Sequence, residues 1–141
     1  LKELNARPHE VPIRNWPELL TAAIRRAVAY YNDHPVFRKL FLGGGVIPEI
    51  HQRDEEFTHR LSESSYDWMN AYFIMPYIPD AGVRFSVIWG IFDGVLKVSQ
   101  VEEGYISEYY EREVIAAIIA YCRTFLPEVL PLRPPESREP V

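Results

Sequence analysis

The run VRFSVIWGIFDGVLKVSQV at 83–101, followed after a short turn by ISEYYEREVIAAIIAYCRTFL at 106–126, decides the fold. In the first run Val83, Phe85, Val87, Ile88, Trp89, Ile91, Phe92, Val95, Leu96, Val98 and Val101 leave only a narrow polar strip of Ser86, Asp93, Lys97 and Gln100. A helix that is apolar on nearly every side is one that is covered on most sides. In the second run, helical spacing sets Tyr110, Val114, Ile118, Tyr121 and Phe125 along one edge and Ile115, Ile119, Cys122 and Leu126 along the next. That stripe takes in about half the circumference, more than a single neighbouring helix can cover. The pair therefore predicts a twofold homodimer in which the last two long helices meet their own copies as an intermolecular four-helix bundle, through Val95, Ile115, Ile119, Cys122 and Leu126. The alternative is a monomer that encloses both helices in its own bundle.

Working outward, the rest of the chain reads as helices between clear breaks, with no strict alternation that would favour a sheet. Asn15 has the chemistry of an N-cap, and with Pro17 in the first turn it starts a helix that runs to about Asn32. The buried face of that helix is expected to be Leu20, Ala23, Ile24, Ala27, Val28 and Tyr31. Pro35 opens a short helix through Phe41, and Gly43, Gly44 and Gly45 are expected to end it by taking a left-handed cap. A phosphate-loop reading of the three glycines fails, because no Lys-Ser or Lys-Thr follows and no strand precedes. A longer helix is expected from Pro48 to about Phe73, with Ile50, Asp54, Phe57, Leu61, Ser64, Ser65, Trp68 and Tyr72 on one face. Pro76 and Pro79 break it, and Glu103 and Gly104 turn the chain between the two deciding helices. The expected class is all-α: an antiparallel bundle of about five helices spanning 15–127. It is flanked by a connector at 1–14 and by a Pro-rich, disordered tail at 128–141.

A length of 141 residues suits one domain able to bury roughly two-thirds of its unfolded surface. With Cys122 as the single cysteine no disulfide can form within the chain, and its place on an apolar helix face reads as a small core or interface residue. Arg84, Asp93 and Lys97 interrupt the best candidate for a membrane span, and no signal pattern opens the chain, so a cytoplasmic location and no membrane partner are expected. The absence of an initiator Met suggests a fragment of something longer. A net charge of −5 argues against this piece gripping phosphates by itself.

The run His34-Pro35-Val36-Phe37-Arg38-Lys39-Leu40-Phe41-Leu42-Gly43-Gly44, followed by Ile47-Pro48-Glu49-Ile50, resembles the middle of the C-terminal domain of TetR-family transcriptional regulators. Trp89-Gly90-Ile91-Phe92-Asp93-Gly94-Val95-Leu96 resembles that family's penultimate helix, and 114–127, ending in Phe125-Leu126-Pro127, resembles its last. The resemblance covers roughly 15–127 in order and spacing. It implies an all-helical effector domain that binds a small molecule in its core and dimerises through its last two long helices. The family's helix-turn-helix has no counterpart in these residues. DNA binding is therefore implied only through a missing N-terminal domain, to which 1–14 would be the connector.

Under that resemblance the function is ligand sensing, with a small hydrophobic or aromatic effector shifting the spacing of the DNA-reading heads. Trp68, Met69, Tyr72, Trp89 and Phe92 offer apolar walls, and Asp93 and Ser65 are the polar groups placed to orient a guest. Each aromatic could equally be plain core, and Asp93 has Lys97 one turn later, the spacing of a surface ion pair. His51, Glu55 and His59 lie one turn apart on one flank, but all three span about two turns and cannot reach one zinc, so they read as surface charge and no metal or cofactor is expected. No nucleophile with a base and no paired-carboxylate spacing emerges, so no enzymatic activity is expected. Two other readings remain: a free-standing helical binding protein for a hydrophobic molecule, and a small helical enzyme.

Overall fold

The structure is a computed structural model, and it describes residues 12–43 and 64–138. Its described elements are α1 (Trp16–Asp33), α2 (Pro35–Leu42), α3 (helical over 64–70), α4 (Ala81–Glu103), α5 (Glu108–Cys122) and a 3-10 turn at Pro135–Ser137. The described residues are all helical in class; their one β feature is an isolated antiparallel bridge between Phe73 and Leu132. The first half of the helix expected from Pro48 lies outside the described residues, and with it Ile50, His51, Asp54, Glu55, Phe57, His59 and Leu61.

Local chemistry accounts for most boundaries. The Asn15 side chain accepts the Glu18 amide at 2.9 Å, satisfying one of the donors that a helix start leaves open. Pro35 fills the first position of α2, where no amide is needed. Gly43 ends α2, though not as a left-handed cap: its φ is −73° and its ψ 155°. Glycine is required there by close approach, since a Cβ would stand 2.3 Å from the Lys39 carbonyl oxygen. Gly104 does take the left-handed conformation, with φ +80°, and lets the chain reverse between α4 and α5. Ser107 then caps α5 by accepting the Tyr110 amide at 3.3 Å.

α4 and α5 form an antiparallel hairpin and pack on each other most extensively; α1 lies against α5, and α2 against α4 and α1. The core joins Trp16, Leu19, Ile24 and Val28 of α1 to Phe85, Ile88, Phe92 and Leu96 of α4 and to Val114, Ile118 and Cys122 of α5. Leu126 is enclosed with them.

One further observation departs from the expectations. The segment after Leu126 is not a loose tail over its described part. Leu130 is buried, the Pro131 carbonyl accepts the Ile74 amide at 2.8 Å, and the Arg133 amide donates to the Tyr72 carbonyl at 2.8 Å. Proline-rich composition removes helical periodicity, but it leaves carbonyls free to serve as acceptors beside another extended segment. All five residues expected at a dimer contact are buried or half-buried within their own chain. Cys122 and Leu126 are 0% and 5% exposed inside their own chain, while Val95, Ile115 and Ile119 are half-buried against the same core. Apolar side chains that stay outside include Val83, Val87, Val98 and Val101 on the far face of α4.

Candidate functional site

Three regions concentrate specific side-chain chemistry. The first is the α3/α4 contact, around which six of the seven residues proposed from sequence as effector ligands are found. The Trp89 indole of α4 donates to Ser65 Oγ of α3 at 3.0 Å, and the Trp89 ring meets Phe92 edge-on at 5.7 Å between centroids. One turn further along α3, Trp68 meets Tyr72 edge-on at 6.1 Å. Met69, Tyr72 and Phe92 are buried, whereas Trp68 and Trp89 are half-buried at the edge of the core. Such edge-to-face pairs present both ring faces and ring edges to whatever lies beside them. Asp93 does not join this group. Its carboxylate lies 2.7 Å from the Lys97 ammonium, a partly exposed pair one helical turn apart.

The second region closes the α4–α5 turn with polar groups that sequence patterning did not single out. Arg38 of α2 is buried, and its guanidinium donates to Gln100 Oε1 at 2.7 Å and to the Gly104 carbonyl at 3.1 Å. Longer contacts of 3.5 Å reach the Tyr31 and Asn32 carbonyls at the end of α1. The cation thus sits where two helices present their C-terminal carbonyls, an environment whose partial negative charge offsets some of its desolvation. Asn32 makes a reciprocal pair with Ile106, donating to its carbonyl and accepting from its amide, both at 2.9 Å. Ser99, fully buried, donates to the Tyr105 carbonyl at 2.7 Å and accepts the Ser107 amide at 3.1 Å. The bonds of Arg38 to Gln100 and Gly104 and of Asn32 to Ile106 join parts of the chain more than sixty residues apart, so no local motif could have revealed them.

The third region is the outer face of α4. Val83, Val87, Gly90, Gly94, Val98 and Val101 recur at spacings of three and four residues, and all six are exposed. They form a stripe about 27 Å long at 1.5 Å per residue. A Cβ added at Gly90 or Gly94 would meet nothing within 4 Å. On α5 the exposed positions include Ala116, Ala117 and Ala120, again small.

Charge contributes little chemistry. Burial holds the Glu111 carboxyl above its ordinary range, opposed by Arg25 at 3.9 Å. The Tyr110 hydroxyl, donating to Glu102, is pushed up to about 12 chiefly by that hydrogen bond. Burial alone raises the Cys122 thiol to about 12, which leaves it a poor nucleophile at neutral pH. Among the described residues no group of three or more His, Cys, Asp or Glu is placed to hold a metal ion, and no helix is long and apolar enough to cross a membrane.

No family model, curated protein or solved structure matches this chain. The functional reading rests on the residues alone.

Proposed function

We propose that this chain is the effector-binding and dimerisation part of a TetR-like transcriptional regulator. In this reading the α4–α5 hairpin packs against a second copy, a small hydrophobic or aromatic molecule binds beside Trp68, Trp89 and their neighbours, and DNA is contacted only through a separate N-terminal head. The observation that carries the proposal is the outer stripe of α4. Four valines and two glycines at helical spacing leave an apolar strip in water while the opposite face already fills the core. Glycines in such a strip allow two helices to cross closely, and a twofold contact needs only one self-complementary surface. The sequence resemblance to the penultimate and last helices of that family supports the same use of the hairpin.

Sedimentation of the chain at micromolar concentration tests the dimer. The expected mass is that of two copies, and Gly94→Arg, at an exposed position where an added Cβ meets nothing within 4 Å, is expected to return it to one copy with its helical content unchanged. Native mass spectrometry tests the effector. A retained small hydrophobic guest should be lost in Trp89→Ala while the dimer persists. A wild-type chain that sediments as one copy at tens of micromolar would sink the regulator reading, and one that still held a guest would be the free-standing binding protein instead.

A further inference from the structure

We propose that residues 127–138 form a mechanical link between the C-terminal end of α3 and the first turn of α1. At its start, the Pro127 carbonyl accepts the indole N–H of Trp16 at 3.0 Å, and Trp16 is completely buried at the head of α1. In its middle, Leu130 enters the core and Pro131 and Arg133 pair through their backbones with Ile74 and Tyr72. The Arg133 guanidinium then grips Asn70 of α3 at two atoms, donating to its backbone carbonyl and, at 3.0 Å, to its side-chain oxygen. That same oxygen accepts the Met75 amide at 3.3 Å, so Asn70 fixes both the turn that leaves α3 and the strap that crosses it.

The strap is stiff. Pro127, Pro131, Pro134 and Pro135 lock φ at four of its twelve positions, and a proline-rich extended segment spans about 3.1 Å per residue. The six steps from Pro127 to Arg133 span at most about 19 Å at that rise, and both ends are held by specific side chains. Held at both ends and anchored in the core by Leu130, the strap passes a displacement of Asn70 to Pro127 and on to Trp16. The meaning of this coupling for signalling rests on the regulator reading, in which α3 forms one wall of the effector site and the segment before Asn15 leads toward the DNA-reading head. The coupling itself does not.

Hydrogen exchange of the tryptophan indole N–H groups, followed by NMR on the full chain, tests the link. Arg133→Ala and Asn70→Ala each remove the far anchor without touching Trp16. The expected result is exchange of the Trp16 indole at least about tenfold faster, with the Ile118 amide in the core unchanged. Arg123→Ala, which breaks only the exposed Arg123 and Glu128 pair beside the strap, should leave the Trp16 rate as it is. An unaltered Trp16 rate in the two anchor variants would overturn the proposal. So would an equal acceleration at Trp16 and Ile118, since that is the mark of ordinary packing lost throughout the fold. A chain that sediments as one copy and holds no guest would end the regulator reading and leave this exchange result standing.

Discussion

Along α4 the inward face carries Phe85, Ile88, Phe92, Leu96 and Ser99, and the outward face carries Val83, Val87, Gly90, Gly94, Val98 and Val101. By hydropathy the two are hard to tell apart; they differ in size. The inward apolar side chains are large and belong to the shared core, and the single hydroxyl among them has both a donor and an acceptor partner. The outward ones are short, so they cover little of their own helix and leave its backbone open to close approach. Volume, then, marks the face that fills the core, while smallness marks the face that stays open to close approach.

The largest break in this contrast comes from Leu96→Ala, which empties a fully buried site on the inward face. It should cost about 2–5 kcal/mol in urea unfolding, the range of buried leucine truncations. Val98→Ala, two residues away and facing out, should change the stability of an isolated copy by less than about 0.5 kcal/mol. Arg38→Met keeps the inward bulk next to Gln100 and removes the donors to Gln100 and Gly104. The unmet acceptors should cost about 1–3 kcal/mol by the same measurement. Gly94→Ala sharpens the comparison because its sign is the result. With nothing within 4 Å of the new methyl, an uncovered helix gains roughly 0.5–1 kcal/mol from the better helix former. A loss of stability at dimer-forming concentration, reversed on dilution, is the outcome expected if a second copy lies close.

The smallest effect concerns Cys122, on the inward side of α5. Its thiol ionises near 9.0 when free and near 12 when buried, so between these values the unfolded chain gives up its proton first. This contribution to stability is complete below pH 9 and fades as the pH rises toward 12. At pH 8 an alkylating reagent should modify Cys122 only at the rate of unfolding, whereas rapid labelling of the native chain would place the thiol on an open face.

The helix plan was legible because its signals are local. Asn15, Pro35, Gly104 and Ser107 each act on a neighbour within four residues, and their chemistry can be read from the chain directly. The α3 contribution to the candidate site was legible in part, since Ser65 and Trp89 meet as helical spacing allows. Asp93, by contrast, is taken up by Lys97 on the surface. What could not be read depends on distance along the chain. Trp16 and Pro127 are 111 residues apart, and Asn70 and Arg133 are 63 apart. Nothing in a Pro-rich stretch announces that it will lie in a groove, and nothing about Arg38 announces two helix ends as its partners. The choice of inward face on α4 was hidden for the same reason: both candidates satisfy the helical period, and only the packing of α1, α2 and α5 selects between them.

The reciprocal bonds between Asn32 and the Ile106 backbone make the corner depend on one intact side-chain amide. Hydrolysis of that amide to a carboxylate would replace the NH2 donor with an oxygen facing the Ile106 carbonyl oxygen, so an attraction at 2.9 Å would turn into a repulsion between two acceptors. One spontaneous conversion, adding a single dalton, would loosen the α4–α5 reversal from the end of α1.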